Sequence, residues 1–397
     1  MANNRDNLAL ILAGGRGERL GELTRETAKP SVAFGGAFHL IDFTLSNCKH
    51  SGTGAVGVVT QYCQSELAGY IGSGSRWAGS AGAEVVTLPP KTRHGKSDLY
   101  KGTADAIWKN ADFIEKHGPQ HILVLSGDHV YKMDYAKMLR EHERTGAAAT
   151  IAALRVPLSE ASRFGILSTD DNGAIYDFEE KPELPKNNLA SMGVYVFRWD
   201  VLKKYLRWDS ADPRSCRDIG RDIIPKMLMM KENLAAYRFD GYWKDVGSIY
   251  SLWEAHMELL TRPPKICLYD DSWQIISAEK TFARHYSFVV SRDSHINNSI
   301  IADGSDVKGM ITRSVISSGV SIGEYAEIAH AVVMPGARIG KGAIVRKAIV
   351  GAGAVVDDYM VVDGSRQGDS LAENYRGIAL YADIPTERHC MQVAQVS

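Results

Sequence analysis

The chain has 397 residues, of which 45% are hydrophobic and 23% charged, and its formal net charge is -1. This composition is that of a globular protein and excludes a disordered chain. The length exceeds that of one typical hydrophobic core, so we expect two domains. The balanced charge excludes a whole-molecule field that attracts nucleic acid or an anionic membrane, and it leaves room only for a local basic pocket for phosphates.

The cysteines and the start of the chain bear on the compartment. Five scattered cysteines form no Cys-x-x-Cys pair, which argues against a disulfide framework or a zinc site. Residues 1–7 are polar, and the apolar run of residues 8–13 is followed at once by glycine and arginine. Neither a signal peptide nor a membrane span fits this pattern. We therefore expect a cytoplasmic protein.

Short apolar runs alternate with helical stretches from residue 8 to about residue 260. The runs lack strict polar alternation, as expected of strands that are covered on both faces. The strand candidates include residues 8–12, 56–60, 121–126 and 150–155. Strands and helices in alternation predict a doubly wound, mostly parallel α/β sheet.

Two helices of this region carry clear signals. Residues 104–116 place apolar side chains at three-to-four spacing, and Gly118 follows as a stop. Asp134 is a natural N-cap for a second helix that runs to Gly146.

The residue pattern changes after Pro263 and Pro264, where the alternation of strand and helix patterns ends. From Ile316 onward an aliphatic residue recurs every five or six positions, often followed by glycine: Ile322, Ile328, Val333, Ile339, Val345, Val350 and Val356. Such hexads predict the coils of a parallel β-helix. A flexible Gly/Ala-rich tail is the alternative, but flexible linkers do not keep an aliphatic residue in register.

These patterns divide the chain into four segments. We predict a catalytic domain at residues 1–262, a linker at 263–290 and a β-helix at 291–370. Residues 371–397 form a polar tail without an assigned structure.

A glycine-rich loop, Gly14-Gly15-Arg16-Gly17-Glu18-Arg19-Leu20, directly follows the first predicted strand. Glycines let the backbone approach a phosphate chain, and arginines add planar cationic donors. A P-loop is excluded because no Gly-Lys-Ser/Thr ending is present, and Leu20 breaks the Rossmann pattern. A tight structural turn is the remaining alternative.

A carboxylate follows another predicted strand, in Gly127-Asp128-His129. Ligands of open α/β sheets bind at the carboxyl ends of the strands. Mg²⁺ takes one or two protein carboxylates together with phosphate oxygens and water. We therefore predict Asp128 as a magnesium ligand, with Asp245 as the second carboxylate, whereas His129 is interpreted as a packed or orienting residue.

Three further segments carry candidate binding groups. Lys29 precedes a proline and means little alone, whereas residues 100–106 put small residues and a hydroxyl at a predicted helix N-terminus. Lys181 is a candidate partner for a sugar phosphate, and Glu180 is a candidate acceptor for sugar hydroxyls.

Together and in this order, the motifs resemble bacterial ADP-glucose pyrophosphorylases over nearly the whole chain. The residues around several of the motifs look most like those of the enzymes from Gram-positive bacteria. The matching segments are Gly-Gly-Arg-Gly-x-Arg-Leu at 14–20, Ala-Lys-Pro at 28–30, Thr-Gln-Tyr at 60–62, Gly-Thr-Ala-Asp-Ala at 102–106, Gly-Asp-His at 127–129, Glu-Lys-Pro at 180–182, Ser-Met-Gly at 191–193 and Trp-x-Asp-Val-Gly at 243–247. The resemblance implies a nucleotidyltransferase domain followed by a left-handed parallel β-helix.

The resemblance also implies a reaction for glycogen biosynthesis. With Mg²⁺ as cofactor, the phosphate oxygen of glucose 1-phosphate attacks the α-phosphorus of ATP, which gives ADP-glucose and pyrophosphate. No protein nucleophile is required, since such transfers depend on alignment and charge neutralisation.

Residue roles follow from the same resemblance. It implies catalytic roles for Arg16, Lys29 and Asp128, and metal binding by Asp128 and Asp245. The implied nucleotide-binding residues are Gly14, Gly15, Arg16, Gly17, Arg19, Lys29, Gln61, Tyr100, Gly102 and Thr103. The implied sugar-phosphate site comprises Gly165, Glu180, Lys181 and Ser191.

The chain departs from the family pattern where many members carry basic residues that bind sugar-phosphate activators. It has Glu26 and Thr27 after the glycine loop, and His39 where an arginine is usual. We therefore expect activation by sugar phosphates to be weak or absent.

Other readings stay open at this point. In the first, the chain is a pyrophosphorylase that uses dTTP or GTP instead of ATP. In the second, it is a non-catalytic regulatory subunit of the same fold. A third makes the β-helix an acyltransferase, for which His295 and His330 are the available histidines. The flat faces and open ends of a β-helix favour a homotetramer or a hetero-oligomer with a related subunit, and we expect neither nucleic-acid nor membrane partners.

Overall fold

A computed structural model describes residues 7–79, 83–93, 96–278, 288–292, 294–366 and 375–382. Within these ranges the chain forms two compact units. The first unit comprises the described residues of Met1–Gly15 and Phe43–Trp243, and the second those of Arg16–Asp42 and Lys244–Ser397. Most of the predicted tail lies outside the described residues, and the domain boundaries drawn from the sequence stay predictions.

The described α-helices are α1 Leu40–His50, α2 Gln64–Ile71, α3 Thr103–Lys109, α4 Ala111–His117, α5 Tyr135–Thr145, α6 Leu158–Ala161, α7 Trp199–Ala211, α8 Ile224–Met229 and α9 Ile249–Leu259. Short 3₁₀ segments span Glu18–Thr24, Lys29–Ser31 and Gly364–Arg366, and a π-helical turn spans Ile219–Ile223.

The described strands before residue 250 are β1 Leu8–Leu12, β2 Ala33–Phe34, β3 Phe38–His39, β4 Ala55–Val59, β5 Glu84–Leu88, β6 Thr92–Arg93, β7 Lys96–Ser97, β8 His121–Ser126, β9 His129–Tyr131, β10 Ala149–Arg155, β11 Gly165–Thr169, β12 Ile175–Glu180, β13 Leu189–Arg198, β14 Leu234–Arg238 and β15 Trp243–Asp245.

Those after residue 280 are β16 Val289–Val290, β17 His295–Asn297, β18 Ile300–Ile301, β19 Asp306–Val307, β20 Met310–Thr312, β21 Val315–Ile316, β22 Ser321–Ile322, β23 Glu327–Ala329, β24 Val332–Val333, β25 Arg338–Ile339, β26 Ile344–Arg346, β27 Ala348–Val350, β28 Val355–Val356, β29 Val361–Asp363 and β30 Ala379–Tyr381.

Nine of these strands form the central sheet of the first unit, in the order β12-β11-β13-β8-β1-β4-β5, with β10 paired to β13 and β14 paired to β10. Strand β1 is parallel to both β4 and β8. Leu8 and Leu10 face a cluster built from α3, α4 and α7, and Ala9 and Ile11 on the opposite face are also fully buried. The α/β fold class is confirmed. The structure adds β13, which runs antiparallel between β8 and β10.

The helix predicted at residues 104–116 is broken in the structure. Helix α3 ends at Lys109, α4 begins at Ala111, and Asn110 between them has φ -104° and ψ 15°. The Asn110 side-chain amide donates to the Ala106 carbonyl at 2.8 Å. The prediction of one helix was wrong because apolar spacing does not report a polar side chain that competes for the backbone. Gly118, at φ 57°, ends α4 as predicted.

The cap predicted at Asp134 is present. Its carboxylate accepts from the Ala136 amide at 2.9 Å, and Gly146 ends α5 in the left-handed region at φ 60°. Such a cap contributes about 1 kcal/mol to helix stability.

The second unit contains a left-handed parallel β-helix with three faces. Each face is a parallel sheet of five strands, and β16, β17 and β18 begin the three faces. Ile322 pairs with Ile339, and Ile339 with Val356, so these coils are 17 residues long. All the aliphatic residues predicted to point inward are at most 3% exposed. The hexad interpretation is confirmed.

The corners of the β-helix use left-handed backbone. Gly304, Gly319, Gly336 and Gly353 occupy one corner at φ 67° to 77°. Non-glycine residues take this conformation at a second corner, at Asn298, Arg313, His330 and Lys347. Strand β30, from the segment predicted as a tail, extends the third face by pairing with β27.

Helix α9 packs inside the second unit. Ser248 caps it through a reciprocal bond with Ser251. Nε2 of the buried His256 accepts from the Gly35 amide at 3.2 Å, while its Nδ1 bonds the Leu252 carbonyl at 2.8 Å. None of the helices in the described ranges has the length and hydropathy to cross a membrane.

Candidate functional site

A cavity of about 660 Å³ opens in the first unit. This volume lies within the range of small-molecule sites. Nine of the residues predicted from the sequence line it: Gly14, Gly15, Gln61, Tyr100, Gly102, Thr103, Asp128, Glu180 and Lys181. Side chains from segments more than 100 residues apart therefore converge on one space.

The first two glycines of the loop have different surroundings. A Cβ on Gly14 would lie 3.2 Å from the Gln61 Cβ, which is a tight contact. A Cβ on Gly15 would meet no atom within 4 Å, although Gly15 lines the cavity. The fold itself therefore does not require a glycine at position 15, and the space beside it is open to a ligand.

Gln61 holds the backbone of a neighbouring lining segment at Tyr100. Its side-chain oxygen accepts from the Tyr100 amide at 2.5 Å, and its side-chain nitrogen donates to the Tyr100 carbonyl at 3.3 Å. The Tyr100 hydroxyl donates to the Leu88 carbonyl at 3.2 Å and accepts from Asn110 at 3.1 Å. Burial raises the Tyr100 pKa, so the phenol stays neutral.

Asp128 lies on the cavity wall just past the end of β8, as predicted. Its carboxylate accepts a short bond from the Ser126 hydroxyl and lies 3.5 Å from Nε2 of His129. The His129 ring packs edge-on against Trp243 at 5.1 Å, which agrees with an orienting role.

The carboxylate at this wall fits a hard divalent cation. The described residues contain no group of three or more His, Cys, Asp or Glu side chains that could hold a metal alone. A carboxylate oxygen is the type of donor that hard divalent cations take from proteins, together with phosphate oxygens and water.

Lys181 and Glu180 also line the cavity. Lys181 has a left-handed backbone, with φ 49°, and its side chain is 56% exposed. Its ammonium lies 3.3 Å from the Glu180 carboxylate. Non-glycine residues in strained backbone conformations cluster at functional sites.

Gly165 and Ser191 do not line the cavity but adjoin residues that do. A Cβ on Gly165 would lie 2.9 Å from the Glu180 carboxylate. The Ser191 hydroxyl donates to the Tyr195 hydroxyl at 3.4 Å, and Tyr195 lines the cavity. Both residues are therefore in contact with residues that line the cavity.

The structure adds cavity residues that the sequence reasoning missed, chiefly Tyr195, Asp218, Ile219 and Gly220. Tyr195 alternates with buried residues on a strand and gave no separate signal. Asp218 has the residue type of an N-cap, and it accepts from the amides of Gly220 and Arg221, but nothing in its local sequence indicates a cavity.

The remaining predicted residues lie in the second unit. Lys29 Nζ is 3.3 Å from the Asp245 carboxylate, and the two side chains are 8% and 13% exposed. A Cβ on Gly247 would lie 2.9 Å from an Arg19 guanidinium nitrogen and 3.0 Å from the Asp245 carboxylate. Arg19, Lys29 and Asp245 are therefore neighbours in this unit.

Gly17 and Arg16 complete this group of the glycine loop. Gly17 has φ 67°, and a Cβ there would lie 2.9 Å from the Lys29 Cβ. Arg16 is exposed and forms a long ion pair of 3.9 Å with the exposed Glu18. Gly17 is thus required by local packing, whereas the Arg16 guanidinium faces solvent.

Two family models match the chain. Residues 8–262 match the model described as nucleotidyl transferase, and residues 283–377 match a GlmU-like, C-terminal hexapeptide model.

Curated relatives cover most of its length. A glucose-1-phosphate adenylyltransferase of Clostridium perfringens strain SM101 is 48% identical over 85% of this chain and 86% of the relative. The protein of the same name from Clostridium acetobutylicum is 49% identical over 81% of this chain and 84% of the relative. That from Bacillus cytotoxicus is 43% identical over 95% of this chain and 100% of the relative. The chain therefore belongs to the nucleotidyl transferase family and, within it, to the glucose-1-phosphate adenylyltransferases.

Proposed function

We propose that this chain transfers the adenylyl group of ATP to α-D-glucose 1-phosphate, giving ADP-glucose and pyrophosphate for glycogen biosynthesis. The observation that carries the proposal is one cavity that is lined by Gly14 and Gly15 together with Glu180 and Lys181. The glycines leave room for a phosphate chain, and Lys181 supplies a cation for a sugar phosphate. The names of the relatives agree with this chemistry.

The proposed roles of the residues follow from their surroundings. The open side of Gly15 would admit the nucleotide phosphates, and Gln61 would keep the Tyr100 segment in place beside the nucleotide. Lys181 would bind the sugar phosphate, while Glu180 would accept hydrogen bonds from glucose hydroxyls. Arg16, Arg19 and Lys29 would neutralise the developing pyrophosphate.

Enzymes of this kind generally use a divalent metal ion. We propose Mg²⁺, with Asp128 and Asp245 as its protein ligands. The bound ion would neutralise phosphate charge and so lower the barrier at phosphorus. The protein residues would bind, align and exclude water, and no side chain would act as a nucleophile.

We also infer a homotetramer in the cytoplasm, or a mixed assembly with a related subunit, because a β-helix offers flat faces for subunit contacts. Light scattering of the purified chain tests this, and a monomer at micromolar concentration would contradict it.

The function is tested by pyrophosphate release from ATP, dTTP and GTP with glucose 1-phosphate. We expect ATP to be preferred. Lys181→Gln should raise the KM for glucose 1-phosphate by roughly tenfold or more, since a hydrogen bond to a charged group is lost. The control is Lys186→Gln, at an exposed lysine paired with Asp177 and Glu179. Equal turnover with all three nucleotides, or an unchanged KM in Lys181→Gln, would refute the proposal.

A further inference from the structure

Two walls of the cavity are joined by the Thr103 hydroxyl. Thr103 begins α3, and its Oγ1 donates to the Asp218 carboxylate at 3.0 Å. The same oxygen accepts from the Ile219 amide at 2.8 Å. One side chain thus forms two bonds to a segment that lies 115 residues further along the chain.

Backbone contacts reinforce this junction. The Ala104 amide donates to the Arg217 carbonyl at 2.8 Å. A Cβ on Gly102 would overlap that carbonyl oxygen, so only glycine lets the two segments approach so closely. Arg217 itself has φ 63°, a conformation that costs a non-glycine residue about 1 kcal/mol or more.

Asp209 and Ser215 hold Arg217 in this conformation. The Ser215 hydroxyl accepts from the Arg217 amide at 2.8 Å and donates to the buried Asp209 carboxylate at 2.5 Å. The Arg217 guanidinium lies 3.5 Å from the same carboxylate. Asp209 and Ser215 therefore stabilise the backbone of Arg217, whose carbonyl accepts from the Ala104 amide.

Asp218 belongs to the second of these two walls, together with Ile219 and Gly220. Its other carboxylate oxygen accepts from the amides of Gly220 and Arg221, at 2.9 Å and 3.0 Å, and so caps the π-helical turn. Turns of this type are often found at functional sites. A Cβ on Gly220 would overlap the Glu180 carboxylate, so the turn is packed directly against the proposed glucose acceptor.

We propose that Thr103 is a positioning residue that couples the nucleotide side of the cavity to its sugar side. It orients the Asp218 carboxylate and the π-helical turn relative to the N-terminus of α3. It does so through its hydroxyl. This inference rests on the proposed function and extends it. A residue that only touches the nucleotide would affect one substrate, whereas Thr103 affects both.

The experiment compares Thr103→Val, which keeps the side-chain shape but removes both bonds, with Thr103→Ser, which retains the hydroxyl. Thr103→Val should raise the KM for ATP and the KM for glucose 1-phosphate, each by roughly fivefold or more, since each lost bond is of ordinary strength. Thr103→Ser should rescue both. Thr145→Val, which removes a hydroxyl bond to the His142 carbonyl on α5, is the matched control.

A double-mutant cycle with Asp218→Asn isolates the coupling. The combined effect of Thr103→Val and Asp218→Asn on the KM for glucose 1-phosphate should be at least fivefold smaller than the product of the single effects. Multiplicative effects, or a KM for glucose 1-phosphate that Thr103→Val leaves unchanged, would overturn the inference.

Failure of the proposed function gives a different result. In that case the wild type releases no pyrophosphate from any of the three nucleotides. The same cycle is then read from the denaturant midpoints of unfolding, where non-additive effects support the Thr103–Asp218 junction and additive effects reject it.

Discussion

The Lys29 ammonium lies 3.3 Å from the Asp245 carboxylate, although 216 residues separate the two in the chain. Both side chains are nearly buried. Removal of one partner from a buried ion pair leaves a charge without its main compensation. The pair therefore has consequences for stability as well as for catalysis.

Lys29→Met should lower the free energy of unfolding of the second unit by about 3 kcal/mol and abolish most turnover. The double variant Lys29→Met, Asp245→Leu should regain much of the stability but none of the activity, because catalysis needs both charges. Urea unfolding and pyrophosphate release measure the two effects. Recovery of activity in the double variant would assign the pair a structural role alone.

Asp128→Asn should lower turnover about 100-fold or more, by analogy with the loss of one charge-stabilising group. The fold should stay intact, because the amide retains the size of the carboxylate and an acceptor for Ser126. Asp134→Asn is the control, since asparagine also caps helices well and Asp134 lies at the start of α5. Wild-type turnover in Asp128→Asn would show that the metal assignment is wrong.

The two ends of the glycine loop should respond differently to alanine. Gly15→Ala should leave the unfolding temperature unchanged and raise the KM for ATP, because its Cβ meets open space in the cavity. Gly17→Ala should lower the unfolding temperature by several degrees, because its φ is 67° and an added Cβ would lie 2.9 Å from the Lys29 Cβ. Equal losses of stability in both variants would contradict this division of the loop.

Buried histidines should make both units sensitive to acid. Burial lowers the pKa of His142 in the first unit and of His256 in the second from 6.5 to about 4. Below pH 6.5 the unfolded chain binds protons that the folded chain does not, so stability is lost as the pH falls from 6.5 toward 4. Each histidine should contribute a loss of about 3 kcal/mol over this range.

The measurement is urea unfolding at pH 7, 5.5 and 4.5. His142→Gln and His256→Gln should each lose part of the wild-type slope. A wild-type stability that is constant between pH 7 and 4.5 would show that these rings gain their protons without cost.

Fructose 1,6-bisphosphate should change turnover little. The resemblance implies basic residues at positions where this sequence has Glu26, Thr27 and His39. Burial lowers the pKa of His39 to about 4, so this side chain offers no positive charge to an anionic activator at neutral pH. Assays with and without the bisphosphate test this expectation, and a severalfold rise in turnover would contradict it.

Local patterns predicted the features whose cause is local. The uninterrupted apolar runs predicted that β1 and β8 are buried strands. The hexads predicted that Ile322, Val333 and Val350 point into the β-helix. Asp128 was predicted at the cavity because the end of a parallel strand is a known position for ligands. In each case the spacing of a few neighbouring residues carries the information.

The functions of Gln61 and Thr103 were not visible in this way. Both belong to motifs that the resemblance assigns to the nucleotide, yet their hydrogen bonds hold Tyr100 and Asp218. Asn110 breaks a helix that apolar spacing makes continuous. A side chain's bonding partner depends on which segments meet, and residue type alone does not report it.

The sequence by itself therefore determined the α/β sheet, the β-helix, the family and the residue types of the site, since periodicity and motif order are properties of neighbouring residues. Only the tertiary structure decided which of those residues share a cavity, that Thr103 joins its two walls, and that Lys29 pairs with Asp245. These contacts span more than 100 residues, and they exist because packing brings distant backbone segments to within hydrogen-bonding distance.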